Sequence, residues 1–262
     1  MQPEARSRVA RAGCYVVLRE RRAVPIAAFG EVMRKNYLAI MVLLTISLAV
    51  AGSAWGKEYG HYEVSKIVTI ATSKSGSNQA TVNLRNIDDM ISDLTQHARN
   101  YPPHFDSAED AQRARTDIAN ALKLLGVFAA NPQLPPQILL RIARLGNLGN
   151  NLDVPGAGQE AIANYSRLLT LAPQNAELNF EYGQFLASTP QLPLGIPYLE
   201  KAKSLGVANA DYSLALAYTA VGNQKMALLN IESYLKRVPA DANAAKIRDA
   251  IRTGHVTVKR TP

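Results

Sequence analysis

Along most of the chain, apolar residues recur every three or four positions, the period of a helix with one buried face. Ile87, Ile91, Leu94 and His97/Ala98 form one such stripe. Asn86 is a suitable N-cap for it, acids Asp88 and Asp89 suit its first turn, and Pro102-Pro103 ends it. Asp106 or Ser107 then caps a longer stripe through Glu109, Ala111, Ala114, Ile118, Ala121, Leu124 and Leu125. Asn131-Pro132 and Pro135-Pro136 punctuate, and Ile138, Leu139, Ile142 and Leu145 resume the helical period. Two stretches depart from it. Tyr62–Ile70 and Ala80–Leu84 are rich in β-branched residues around the polar run TSKSGSNQ, which predicts either a short β-hairpin or a linker. Tyr37–Trp55 is apolar and uncharged throughout.

From Ala143 to Asp241 the stripes repeat at a fixed period. The last copy places Leu214-Ala215, Tyr218, Gly222, Ala227, Ile231, Tyr234 and Pro239 at helix–turn–helix spacing. The middle copy has Tyr182-Gly183, Leu186, Gly195, Leu199 and Ala202, with Val207 in the place of the proline. The first has Leu148-Gly149, Leu152, Ala161, Tyr165, Leu168 and Pro173. The small residues opening each second helix are 34 apart (Ala161 to Gly195) and then 32 apart (Gly195 to Ala227). Small residues let two helix backbones approach, and each hairpin leaves an apolar face for the next to cover. This pattern resembles the tetratricopeptide repeat family. No copy carries that family's tryptophan; Asn179 and Asp211 stand in its place in the last two. The middle turn, STPQLPLGIP, is proline-rich. Asp241 caps a closing helix, Ala242–Arg252, whose Lys246, Arg248, Asp249 and Arg252 suit a polar outer face.

The expectation is an all-α chain: a tetratricopeptide-like helical-hairpin solenoid over 134–253, with a tail at 254–262. A small helical N-terminal region, 57–133, precedes it and carries the short β-hairpin. Residues 33–56 read as an export signal. Met33-Arg34-Lys35-Asn36 is a basic opening, Tyr37–Trp55 the apolar run, and Ala49, Ala51, Ser53 and Ala54 a small-residue end, with cleavage after Ala51 or Ala54. An uncleaved inner-membrane anchor facing the periplasm is the alternative. Met33 suits a natural initiator, making 1–32 an over-extended leader. The net charge of +8 changes little on inspection. Residues 1–56 hold eight basic and three acidic residues, +5; residues 57–262 hold 21 and 18, only +3, spread along the chain. That distribution argues against a nucleic-acid partner. The single cysteine, Cys14, excludes an intrachain disulfide and a cysteine-based metal cluster.

Candidate chemistry is sparse. His61, His97 and His104 fall near Asp88, Asp89 and Asp106, but no pair has metal-ligand spacing, so no metal is expected. Gly156-Ala157-Gly158-Gln159-Glu160-Ala161 spells GxGxxA without the strand a dinucleotide site needs before it. Asn164-Tyr165-Ser166 is a glycosylation sequon within a helical stripe. No catalytic motif or cofactor site is recognised, so no enzyme is expected. The resemblance implies a groove lined by the first helix of each repeat that holds a protein or peptide segment. The places it maps to are Glu177, Phe180, Gln184 and Ala187, then Asn209, Tyr212, Leu216 and Thr219. The basic clamp that some relatives use for a partner's terminal carboxylate is missing at these places. The functional expectation is therefore a scaffold or adaptor of the bacterial envelope, binding a protein partner. The alternative is an envelope enzyme or metal-binding protein with its site in 57–133, around His97, His104 and Asp106.

Overall fold

A computed structural model describes residues 14–18, 58–72, 78–129, 131–254 and 256–260. The apolar run 37–55, the Met33 opening and the cleavage candidates lie outside the described residues, as do most of 1–32 and the polar turn 73–77. Among the described residues the chain forms nine α-helices and four short strands. The helices are α1 (Leu84–Ala98), α2 (Ala108–Ala129), α3 (Pro136–Asn151), α4 (Ala157–Leu171), α5 (Ala176–Ala187), α6 (Leu192–Ser204), α7 (Ala210–Ala220), α8 (Gln224–Arg237) and α9 (Ala242–Arg252). None is long and apolar enough to cross a membrane.

Helices α3 to α8 form three tight antiparallel hairpins that stack in sequence, and α9 packs on α8 as the closing helix. This is the tetratricopeptide-like solenoid the spacing predicts. Its hairpins are set by absent side chains. A Cβ on Gly195 would lie 2.6 Å from the Gly183 carbonyl oxygen and 2.8 Å from the Ala187 nitrogen. A Cβ on Gly183 would lie 2.9 Å from the Leu199 nitrogen. Both meet backbone, which cannot give way, so only glycine allows α5 and α6 this approach. Ala215 and Ala227, both fully buried, do the same for α7 and α8. In the first hairpin the closest approach is at Gly146, where a Cβ would lie 2.7 Å from both the Ala157 oxygen and the Ala161 nitrogen. Gly149, the glycine picked out by the spacing, faces Ala157 and Ile118 of α2 instead. It admits a neighbouring unit.

Caps fall close to where the sequence puts them. The Asn83 side chain accepts from the Asn86 amide, so the cap of α1 lies three residues before the expected Asn86. Ser107 accepts from Asp110, Asn175 from Leu178, Asn223 from Met226, and Asp241 from Asn243 and Ala244. Gly156, at φ 80°, turns the chain into α4, and α3 runs through to Asn151, so the GxGxxA stretch joins two helices with no strand before it. Asn164 of the sequon is buried, its amide donating to the Glu160 carbonyl.

The N-terminal region is built otherwise. Helices α1 and α2 both pack on α3 but scarcely on each other. Between them lies a strap, Glu58 to Ile67, ending in a 3-10 turn over Val64–Ile67. Tyr59 is fully buried there, with Ile67, Ile87, Met90, Leu94 and Ile118 around the gap. After the strap, β2 (Val68–Thr72) and β3 (Asn78–Val82) pair antiparallel, with Val68 opposite Val82. The expected hairpin is therefore present, with its first strand starting later than the β-branched run suggests. The remaining strands, β1 (Cys14–Leu18) and β4 (Val256–Arg260), pair antiparallel across nearly the whole sequence and lie against α7. The segment expected as a plain tail thus contains a strand.

Candidate protein-binding groove

Helices α1, α3, α5, α7 and α9 all face one groove of about 720 Å³. It has an apolar floor and a polar middle. Phe180 and Leu192 lie deep, while Tyr212 and Leu216 stand half-buried on α7. At the N-terminal end, the turn after α1 contributes Arg99, Asn100 and Tyr101.

Of the eight expected places, Glu177, Phe180, Gln184, Tyr212 and Leu216 meet here. Glu177 and Gln184 are exposed, and the Gln184 amide donates to the Ser213 hydroxyl at 3.0 Å, tying α5 to α7. Ala187 also lines the groove. Asn209 sits at the exposed start of α7, outside the lining. Thr219 is turned back on its own helix, its hydroxyl donating to the Ala215 carbonyl at 2.7 Å, and it too lies outside. Phe180 and Tyr212, equivalent by sequence, differ in place. Phe180 is only 8% exposed and packs with Leu192, Leu199 and Leu214 between repeats. Tyr212 is half-buried at the edge of the last-repeat core, its ring meeting Tyr234 edge-on at 5.2 Å. Phe180 thus shapes the floor, and Tyr212 is presented.

The sequence reading missed the α3 side of the groove. Arg144 grips Glu181 through both carboxylate oxygens, with its Nε 3.0 Å from Oε2. Tyr165 donates to the same Oε2 at 2.9 Å. The hydrogen bond to Glu181 raises the Arg144 guanidinium above its ordinary value, and burial followed by the Glu181 charge pushes the Tyr165 phenol well up. Arg144 and Tyr165 thus keep fixed charge states at neutral pH, and with Glu181 they form a polar ridge across the groove. Periodicity cannot find it, because α3 does not present the close-approach glycine where the repeat spacing puts it.

A second missed feature explains why the repeats lack the family's tryptophan. Asn179 is buried and donates to the Pro173 and Asn175 carbonyls at 3.1 and 2.8 Å. Asp211, 2% exposed, pairs with Lys203 of α6 at 2.7 Å and with Arg237 of α8, and accepts from Ser233. Burial raises its carboxyl, but the bonds from Lys203, Arg237 and Ser233 outweigh that and hold it below its ordinary value. A polar clamp across three helices stands where an aromatic would pack.

Of the three histidines weighed as ligands, His97 is buried, whereas His61 and His104 are exposed. Among the described residues no group of three histidine, cysteine or carboxylate side chains is arranged to hold a metal ion.

No family model matches the chain, and no curated protein matches it in sequence. Solved structures do resemble it. A structure of MamA is 21% identical with a TM-score of 0.45, covering 57% of this chain and 85% of that one. TTC0263, a tetratricopeptide protein of Thermus thermophilus, is 14% identical with a TM-score of 0.43, covering 65% and 92%. At these values the likeness is coarse, and the assignment of the fold rests on the hairpins themselves.

Proposed function

We propose that the protein is a non-enzymatic interaction scaffold of the bacterial cell envelope, holding an extended or helical segment of a protein partner in this groove. The observation that carries the reading is the alignment of five alternate helices around one continuous groove with an apolar floor and exposed polar groups. A floor of Phe180 and Leu192 offers area for apolar side chains. Glu177, Gln184 and Arg99 lie beside it to fix register. Tyr212 and Gln184 are the groups to vary, since Gln184 is exposed and Tyr212 is half-buried at the edge of the last-repeat core. Tyr212→Ala and Gln184→Arg are expected to weaken partner capture at least tenfold while helical circular dichroism stays unchanged. Capture at full strength in both variants overturns the groove reading.

The envelope part of the proposal rests on the signal-like 33–56 segment. It also has a structural consequence. Strands β1 and β4 pair only if residues 14–18 and 256–260 share a compartment. On this reading the pair is lost once the solenoid crosses the membrane, whether 33–56 is cleaved or kept as an anchor. N-terminal sequencing of the cellular protein tests it. A start just after Ala51 or Ala54 is the expected result; an intact residue 1 in the soluble cytoplasmic fraction contradicts it.

A further inference from the structure

Four charged side chains line the groove: Arg99, Arg144, Glu177 and Glu181. Arg144 and Glu181 hold each other through two hydrogen bonds and cancel. Arg99 and Glu177 are both exposed, and among the described residues neither side chain has a hydrogen bond or an ion pair. One positive and one negative charge are therefore left in the lining without a counter-charge.

The two lie on opposite edges. Alternate helices run the same way, so one edge is made of helix ends and the other of helix starts. Arg99 stands just past the end of α1, on the edge where Ser188 and Ala220 close α5 and α7. Glu177 stands in the first turn of α5, on the edge of Tyr212 and Asn243. The floor of Phe180 and Leu192 lies between them. Each charge also suits the dipole of its own helix. That accounts for the signs, but not for both side chains lining one groove.

The backbone under each charge is anchored. Asn151 of α3, 5% exposed, donates to the Ala98 and Arg99 carbonyls at 2.9 and 3.1 Å. The His104 amide donates to the His97 carbonyl at 2.7 Å and closes the loop behind Arg99. On the other edge the Asn175 side chain caps α5 through the Leu178 amide at 3.0 Å. An apolar floor takes any apolar segment, because burial is non-directional. Anchored charges at its margins do choose. A segment lying on the floor gains a charge-assisted hydrogen bond where it meets each charge with the opposite sign, and is repelled where the signs match.

We propose that the groove takes a partner segment in which an apolar stretch separates an acidic residue from a basic one, the carboxylate meeting Arg99 and the cation meeting Glu177. This deepens the groove reading above and rests on it. It also fixes the course of the segment, which crosses the groove from the edge of helix ends to the edge of helix starts.

The test uses the full chain and four pools of synthetic peptides. All share a randomised apolar centre of Leu, Ile, Phe and Val, and they differ in the flanking residues: Glu and Lys, Glu and Glu, Lys and Lys, or Gln and Gln. The wild type is expected to retain the Glu–Lys pool over either like-charged pool by about fivefold, the scale of one exposed ion pair. That preference should fade at high salt. Glu177→Lys should move the preference to the Glu–Glu pool and Arg99→Glu to the Lys–Lys pool. Glu177→Gln and Arg99→Gln, which only remove a charge, should level the Glu–Lys pool with one like-charged pool each. Circular dichroism confirms that every variant keeps its helices. Equal retention of all four pools by the wild type overturns the charge pairing and leaves the groove reading standing, as does a preference that the charge reversals do not move. Retention of no pool, or retention that Tyr212→Ala does not weaken, overturns the groove reading and the pairing with it.

Discussion

Helices α5 to α8 and the segment from Glu58 to Ala129 both bring two helices into one core, and they do so in opposite ways. In the repeats the helices touch because side chains are missing. Gly183, Gly195, Ala215 and Ala227 leave no room for anything between the backbones. In the N-terminal region α1 and α2 scarcely touch, and the gap between them is filled by a strap with Tyr59 at its centre. Shape alone specifies the first arrangement. The second depends on Asp93, Asp117 and Arg113 each keeping its hydrogen bonds to the strap. The lesson is that a close-packed hairpin does not tolerate added volume, while a strapped pair tolerates volume better but not a lost hydrogen bond.

The sharpest way to break the comparison is volume. Gly195→Ala drives a methyl into the Gly183 carbonyl, and the expected loss is about 3 kcal/mol, seen in denaturant unfolding of the repeats. An effect near zero would mean that α5 and α6 can separate, and that shape is not what holds them.

Next comes the exception inside the repeats, the buried Asp211. Asp211→Asn leaves Lys203 and Arg237 without a counter-charge. Both are partly exposed, 38% and 42%, so water screens them and the expected loss is only about 2 kcal/mol. The sign with pH follows from the depressed carboxyl. Its contribution is fully present above the unfolded-state carboxylate range and is lost as pH falls through the lower folded value. Acid should therefore weaken the wild-type repeats more than those of Asp211→Asn; equal acid sensitivity would remove Asp211 from the account.

The smallest stability change belongs to the strap. Tyr59→Phe keeps the ring and strands Asp117, whose carboxyl burial already raises against the lowering by Tyr59 and Arg113. About 1 to 2 kcal/mol should be lost from the N-terminal region, with the repeats unaffected. Hydrogen exchange resolved by segment separates the two. A uniform loss over α3 to α8 would show that strap and repeats are one cooperative unit.

Legibility in the sequence follows the same division. The hairpins α5–α6 and α7–α8 can be read because their determinants, Gly183 with Gly195 and Ala215 with Ala227, recur at a fixed local spacing. Asn83, Ser107, Asn175, Asn223 and Asp241 cap helices through neighbours two or three residues on, which is also local information. The strap cannot be read this way. Tyr59 finds Asp117 fifty-eight residues away and Gly60 finds Asp93 thirty-three away, and no period links them. For the groove, the α5 and α7 residues follow from the repeat register. The α3 ridge of Arg144, Glu181 and Tyr165 does not, because the closest backbone approach is at Gly146, three residues before the expected Gly149, which meets both α4 and α2. Phe180 illustrates a last limit. Its position in the repeat matches Tyr212, yet its neighbours Leu192 and Leu199 bury it.

The central claim is that recognition happens on the concave side. A photo-reactive residue placed at Gln184, exposed in the groove, is compared with one at Leu229, 57% exposed on α8 and outside the groove lining, in the cell that makes the protein. The account predicts a crosslinked partner from position 184, absent from position 229, and lost on adding Tyr212→Ala. A partner crosslinked from 229 and not from 184 would place recognition outside the groove and contradict it.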